Sequence, residues 1–281
     1  MTTPTNTAQL VALAEKSEAE FMFAYEDGAP EAARAELGIT TRRVGGGVVL
    51  AMRNDPTGYW SKALGFGHET PVTDELVGQI LDLYGAAGVA GATLQLAPSV
   101  LPEDWQAIAD RHGLVAGGQI VKLGASVEGL PSTAAKTDLR IAQVEAADAK
   151  EWARVILTSF GMPSDGALAQ MLTGSLNHPG FQTFAAWDGD QIVAGGNLFV
   201  DGEVGSLNTG ATASTHRNRG GQSAVLEARI AAAVAAGCRW LVAEAGKPSP
   251  GESNPSLNNL IRAGLEPLYD RTNWNWKNPK A

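Results

Sequence analysis

The chain has 281 residues, of which 44% are hydrophobic and 18% charged, a balance typical of globular proteins and enough for about two domains. Its formal net charge of −9 at pH 7 argues against a nucleic-acid-binding protein, because such proteins normally present a basic surface. A single cysteine excludes an internal disulfide and a multi-cysteine metal site, and no metal is expected. No signal peptide and no long apolar run is recognisable, which favours a soluble, cytoplasmic protein.

The first half of the chain is predicted to alternate helices and strands. The predicted elements are a helix from Ala8 to about Asp27, a charged connection over 31–41, strands over Val44–Met52 and Tyr59–Leu64, a helix over Asp74–Ala87, a strand over Ala92–Leu96, a helix over Pro102–Arg111 and a strand after Gly113. Residues 129–138 contain glycine, proline and threonine, which predicts a linker between a first domain, 1–128, and a second domain, 139–281.

The second half is predicted to contain more strands. The predicted elements are a strand over Leu139–Val144, helices over Ala146–Phe160 and from Asp165 to about Leu176, strands over Phe181–Trp187, Ile192–Val200 and Val204–Ala213, a helix from Gly221 to Ala236, a strand over Trp240–Ala245, a helix over Asn254–Ala263 and a strand over Leu265–Trp276. The Asp188-Gly189 pair predicts a hairpin between the first two of these later strands.

One stretch of the second half has the features of an anion site. Residues 209–226 lead from a strand of small and β-branched residues into a basic, glycine-containing turn that opens directly onto an alanine-rich helix. Free backbone N–H groups and the positive end of the helix dipole favour a phosphate at such a helix start. Arg217 and Arg219 add positive charge. Short glycine turns also occur by chance, so a plain helix start is the alternative.

The turn carries a specific resemblance. Arg217-Asn218-Arg219-Gly220-Gly221-Gln222 resembles the pyrophosphate loop of the GNAT acyltransferase family, whose pattern is Arg/Gln-x-x-Gly-x-Gly/Ala between a strand and a helix. Arg217 and Gly220 match, and Gln222 replaces the last small residue. The element order of the second half is similar to the whole GNAT fold, and the first half matches its last elements. The resemblance implies an α/β fold of the α+β type with two GNAT-like halves in tandem. Each half is then a mixed, mostly antiparallel sheet flanked by helices, and the N-terminal half is degenerate.

The resemblance implies that the second half binds acetyl-CoA or another acyl-CoA. The pyrophosphate would lie at the helix start, and the pantetheine arm between two strands that part, those predicted over Val204–Ala213 and Trp240–Ala245. Asn254 can equally be a plain helix cap, and Gly210 can belong to an ordinary strand. The implied cofactor-binding residues are Gly210, Ala211, Thr212, Arg217, Arg219, Gly220, Gly221, Gln222, Ser223, Asn254 and Ser256.

The resemblance also implies transfer to an amine, which needs a base and a proton donor. The tyrosine that the family often has on the helix after Asn254 is absent, so Tyr269 is the nearest substitute, and Glu244 is the preferred base. A half-buried strand tyrosine and a surface glutamate are the alternatives. Tyr59 and Trp60 are candidates for an acceptor pocket, although aromatic residues on strands more often belong to the core.

The sequence thus predicts an acyl-CoA-dependent N-acyltransferase that acetylates the primary amine of a small molecule by direct transfer in a ternary complex. The first half is expected to wall the acceptor site. A non-catalytic acyl-CoA-binding or sensor protein and a structural pseudoenzyme are the alternatives. The acceptor, the acyl chain length and the choice between monomer and homodimer stay open.

Overall fold

The computed structural model describes residues 4–131 and 135–280. Within them lie eight α-helices and eleven strands. The helices are α1 (Pro4–Asp27), α2 (Glu31–Leu37), α3 (Asp74–Ala87), α4 (Trp105–Arg111), α5 (Ala149–Ser159), α6 (Gly166–Gly174), α7 (Gly221–Ala235) and α8 (Pro255–Arg262). The strands are β1 (Ile39–Val44), β2 (Gly47–Met52), β3 (Lys62–Leu64), β4 (Gly91–Gln95), β5 (Val115–Ser126), β6 (Arg140–Gln143), β7 (Phe181–Asp188), β8 (Gln191–Asp201), β9 (Val204–Thr212), β10 (Trp240–Gly246) and β11 (Glu266–Lys277).

All eleven strands form one sheet in the order β1-β2-β3-β4-β11-β5-β10-β9-β8-β7-β6. Two neighbouring pairs, β3 with β4 and β9 with β10, are parallel, and the others are antiparallel. The mixed, mostly antiparallel character predicted for each half is therefore confirmed. The halves share the sheet by exchanging strands: β11 lies between β4 and β5, and β5 lies between β10 and β11.

Helices cover both faces of this sheet. Because alternate residues of a strand point to opposite faces, one strand can contribute to the cores on both sides. In β2, Leu50 packs in the core that contains α1, whereas Val49 packs in the core beneath α3. In β10, Val242 packs against α1, whereas Ala243 packs in the core beneath α7 and α8. Helix α1 therefore crosses the junction between the two halves, on the face opposite to α7.

The charged connection expected over 31–41 is wrong. This segment forms α2, which ends at Gly38 in the left-handed conformation (φ +66°), and the start of β1. A turn at Gly45 and Gly46, both at positive φ (+54° and +77°), joins β1 to β2. Glycines allow this two-residue hairpin turn, so their predicted place in the following strand is wrong.

Two predicted helix boundaries are confirmed by their capping contacts. The Thr73 side chain accepts a hydrogen bond from the backbone N–H of Leu76 at the start of α3, and Gly88 ends that helix at φ +72°. The Asn254 side chain accepts from the backbone N–H groups of Ser256 and Leu257 at the start of α8. These contacts satisfy helix N–H groups that have no partner within the helix.

A buried charge cluster joins α1 to the middle of the sheet. Arg271 of β11 is fully buried, and its Nη1 donates to Glu15 Oε1 at 2.8 Å and to Glu18 Oε2 at 2.6 Å. Lys122 of β5 also pairs with Glu18. Burial alone raises the pKa of Glu18, but the charges of Arg271 and Lys122 outweigh it and hold that pKa well below the ordinary value. Elements of both halves thus meet at these ion pairs.

Replacing Arg271 by methionine is expected to destabilise the protein by about 3–5 kcal/mol, because it leaves the buried carboxylates of Glu15 and Glu18 with Lys122 as their one remaining ion-pair partner among the described residues. Urea unfolding followed by circular dichroism measures the loss. The matched control is Arg239→Met, since Arg239 is exposed and forms a surface ion pair with Glu203, and it should change stability little. Equal effects of the two variants would contradict the structural role of the cluster.

Candidate functional site

The sheet opens between β9 and β10. These strands pair only where Val204–Leu207 faces Trp240–Ala243, and beyond Leu207 and Ala243 they no longer pair with each other. A cavity of about 500 Å³ lies at the opening, lined by residues from both strands and from helices on both faces. Its size is within the range of small-molecule and cofactor sites.

An irregularity in β9 accounts for the opening. The pairing of β8 with β9 shifts register between Gly195 and Asn197, and Thr209 has a φ of +56°. A bulge bends its strand, so β9 turns away from β10 at this point. Positive φ is strained for a β-branched residue, and such strain is concentrated at functional sites.

One end of the cavity lies at the starts of α7 and α8. Gln222 and Leu226 of α7 line it, together with Ser256 and Asn259 of α8. Among the described residues, the backbone N–H groups of 221–223 have no acceptor. Free N–H groups at a helix start, at the positive end of the helix dipole, can hold an anionic group.

The other end of the cavity is apolar and aromatic. The first half of the chain supplies much of its wall, through α1 and the segment before β3, and α5, the turn after it and Leu172 of α6 also contribute. The larger side chains here are Phe21, Met22, Tyr25, Tyr59, Trp60, Phe160 and Met162. The first half therefore supplies part of the cavity wall, to which the aromatic pair at 59–60 contributes.

Tyr25 of α1 reaches the bulge of β9. Its Oη lies 2.9 Å from Thr209 Oγ1, donates to Asn208 Oδ1 at 3.3 Å and accepts from Asn197 Nδ2 at 2.5 Å. Burial raises the pKa of Tyr25 to about 12, so the hydroxyl keeps its proton at neutral pH. Tyr25 falls within the helix predicted from Ala8 to about Asp27, where it was not identified as a site residue. No local signal could identify it, since Thr209 is 184 residues away along the chain.

Five residues of the predicted site line the cavity: Gly210, Gln222, Glu244, Asn254 and Ser256. The side-chain nitrogen of Asn254 donates to the backbone carbonyl of Gly246 at 2.8 Å, while its oxygen caps α8. Both polar side-chain atoms of Asn254 thus form hydrogen bonds within the protein, and Asn254 caps α8, which was the alternative to cofactor binding.

The predicted phosphate-loop residues are placed differently. The Arg219 side chain pairs with Asp138 and Asp188, each at 2.5 Å, and Arg217 is exposed. Gly220 has φ +76°, and a Cβ there would lie 2.3 Å from the carbonyl oxygen of Lys136. The chain at Lys136 thus occupies the space beside Gly220, which was predicted to bind the cofactor.

The remaining cofactor-binding candidates lie outside the lining of the cavity. Ala211 and Thr212 lie in register with Gly195 and Ala194 of β8. Gly221 packs against Leu139, since a Cβ there would lie 2.8 Å from that side chain. The other such residue is Ser223, at the start of α7.

Of the two predicted catalytic residues, Glu244 lines the cavity and Tyr269 does not. Glu244 lines the cavity, and its Oε2 accepts from Arg271 at 2.8 Å and from Lys122 at 3.3 Å. Tyr269 does not line the cavity, because its Oη donates to Glu15 at 2.5 Å in the charge cluster. Burial and the Glu15 charge raise the pKa of Tyr269. The tyrosines that line the cavity are Tyr25 and Tyr59.

Neither a metal centre nor a membrane helix is found in the described parts of the chain. Across 4–131 and 135–280, no three His, Cys, Asp or Glu residues are grouped so that they could hold a metal ion. No helix in the same ranges is both long and apolar enough to cross a bilayer.

No protein-family model and no curated protein matches this sequence, but solved structures match its fold. A GCN5-related N-acetyltransferase from Kribbella flavida is 15% identical over 95% of both chains, with a TM-score of 0.60. Another from Sphaerobacter thermophilus is 12% identical over 85% of this chain and 75% of its own, with a TM-score of 0.59. A tandem GNAT protein from the clavulanic acid biosynthesis pathway is 13% identical over 94% of this chain and 95% of its own, with a TM-score of 0.58. The chain therefore has the fold of the GNAT acetyltransferases, and it shares that fold with a tandem GNAT protein over nearly its whole length.

Proposed function

We propose that the protein is an acyl-CoA-dependent N-acyltransferase that acetylates the primary amine of a small molecule by direct transfer in a ternary complex. The observation that carries this proposal is the cavity at the opening between β9 and β10, which begins beside the free N–H groups at the start of α7. The GNAT fold of the chain supports the same reaction class.

The residues at the α7 end of the cavity fit a CoA ester. The N–H groups of 221–223 would hold the pyrophosphate, assisted by the helix dipole. Gly210 and Gln222 border the path from this helix to the opening. Beyond Leu207 and Ala243 the unpaired strand edges can hydrogen-bond to an extended arm. When bound, acyl-CoA supplies an acyl group activated as a thioester.

The residues at the bulge can handle the protons of the transfer. A neutral amine loses a proton as its nitrogen is acylated, and the departing thiolate takes one up. We assign the proton donor to Tyr25 Oη, which lines the cavity and stays protonated at neutral pH. Glu244 remains the candidate base through Oε1, since the hydrogen bonds that it makes to described residues go to Oε2.

Acyl-CoA binding is tested by placing a negative charge at the start of α7. A glutamate at position 223 suits the positive end of the helix dipole, but it repels a pyrophosphate. Calorimetry with acetyl-CoA should therefore show at least a tenfold weaker Kd for Ser223→Glu, with a thermal midpoint no lower than that of the unmodified protein. Ala231→Glu is the matched control, since Ala231 is an exposed residue of the same helix. Tight binding by Ser223→Glu would refute this location.

The role of Tyr25 is tested by removing its hydroxyl alone. Tyr25→Phe keeps the ring packing, and we expect kcat to fall by about 10²–10⁴ while the Kd for acetyl-CoA changes less than threefold. Transfer of labelled acetyl to a panel of amines is the assay. Tyr84→Phe is the control, because Tyr84 is buried outside the cavity and its hydroxyl has no hydrogen-bond partner among the described residues. An active Tyr25→Phe enzyme would assign the proton transfer to another group.

A sensor that binds acyl-CoA without turnover is the second candidate. The observation that favours it is the helix α8, where residues 259–262 are Asn, Leu, Ile and Arg and none can serve as the acid that family members often have there. Tight acetyl-CoA binding without label transfer to any amine of the panel would select this candidate over the enzyme.

A further inference from the structure

A buried cation lies at the opening of the sheet. Arg229 of α7 is 3% exposed and lines the cavity. Its Nη1 donates to the backbone carbonyls of Asn197 and Asn208, each at 3.1 Å, and its Nε donates to the carbonyl of Val225 at 3.3 Å. These acceptors are all neutral. Two of them belong to the irregular part of the β8–β9 ladder, so the guanidinium also supports the bulge.

Among the described residues, the hydrogen bonds of Arg229 go to backbone carbonyls and none goes to a carboxylate, and Tyr25 is the one ionisable group that acts on its charge. Burial lowers the pKa of Arg229 to about 10, so it is still a cation at neutral pH. Buried charges are normally paired, since an uncompensated charge is costly to bury. Arg271, which is equally buried, pairs with three carboxylates in the same protein.

The surrounding glycines make room for the guanidinium and leave one edge of it free. A Cβ at Gly196 would lie 2.8 Å from Arg229 Cζ, and a Cβ at Gly210 would lie 3.4 Å from Nη2. Nη2 makes no hydrogen bond to any described residue, and it is the atom nearest to Gly210, which itself lines the cavity. The free edge of the cation therefore lies at the opening between β9 and β10.

We propose that Arg229 binds a carboxylate of a ligand in this cavity, so that either the acyl group of the donor or the amine acceptor carries a carboxylate. The planar guanidinium matches a carboxylate in geometry and charge, and the buried surroundings strengthen the attraction. The assignment to a donor or an acceptor rests on the proposed transferase function. The binding of a carboxylate at Arg229 does not.

Calorimetry with two matched pairs of ligands tests the proposal and identifies the source of the carboxylate. The donor pair is succinyl-CoA and butyryl-CoA, which have the same number of acyl carbons. The acceptor pair is phenylalanine and 2-phenylethylamine, whose ring suits the aromatic end of the cavity, and it is titrated with and without CoA. We expect the carboxylate-bearing member to bind at least tenfold more tightly in one pair. The pair that shows this preference identifies the source.

Variants of Arg229 then test whether the preference for the carboxylate-bearing ligand comes from this residue. Arg229→Met keeps the length of the side chain but removes the charge, and it should bring the preference down to about one. Arg229→Lys keeps the charge without the planar guanidinium. If the methionine variant does not fold, a weaker preference in Arg229→Lys shows instead that the guanidinium binds the carboxylate. Arg239→Met, on the exposed surface, should keep the full preference.

The outcomes separate this inference from the proposed function. Equal binding within both pairs by the unmodified protein overturns the inference, even where CoA esters bind tightly. A preference that persists in Arg229→Met also overturns it. A preference for phenylalanine in a protein that binds no CoA ester would support the carboxylate site and remove the transferase function.

Discussion

The ion pairs of Arg271 with Glu15 and Glu18 are the interaction on which the rest of the structure depends. They fix α1, the first helix of the chain, to β11, the last strand, at the centre of the sheet. Since β5 and β11 are each inserted among strands of the other half, strand pairing and ion pairs together join the two halves at this junction. Together with the apolar face of α1, this attachment holds the helix across the sheet, where it supplies one wall of the cavity and the Tyr25 hydroxyl.

The local structure of this chain is largely determined by local sequence. Thr73, Gly88 and Asn254 set helix ends through contacts within a few residues, and the predicted boundaries agree with them. The β1–β2 hairpin also has a local signal, the two positive-φ glycines of its turn. It was missed because a glycine triplet beside a run of apolar residues was interpreted as part of a strand.

The candidate site is much less predictable from the sequence, because long-range contacts build it. The exchange of β5 and β11 depends on strand register between distant segments, which has no motif. Tyr25 acquires its environment from residues more than 170 positions away. Arg229 resembles any polar residue of a helix until the carbonyls of Asn197 and Asn208 surround it.

The glycines and arginines of the loop at 217–222 were predicted to bind the ligand, but two of them contact neighbouring parts of the chain. Gly220 accommodates the linker, and Arg219 is neutralised by two aspartates. The proposed pyrophosphate site thus relies on backbone N–H groups of 221–223 rather than on arginine side chains. The glycines that open space beside the cavity are Gly196 and Gly210, which the same motif does not include.

The central claim is that the opening between β9 and β10 holds the arm of a CoA ester. A crystal structure of the protein with CoA tests it most directly. The account predicts the pyrophosphate at the N–H groups of 221–223, the arm between the unpaired parts of the two strands, and the sulfur within reach of Tyr25 Oη. CoA bound elsewhere on the surface, with an empty cavity, would contradict the account.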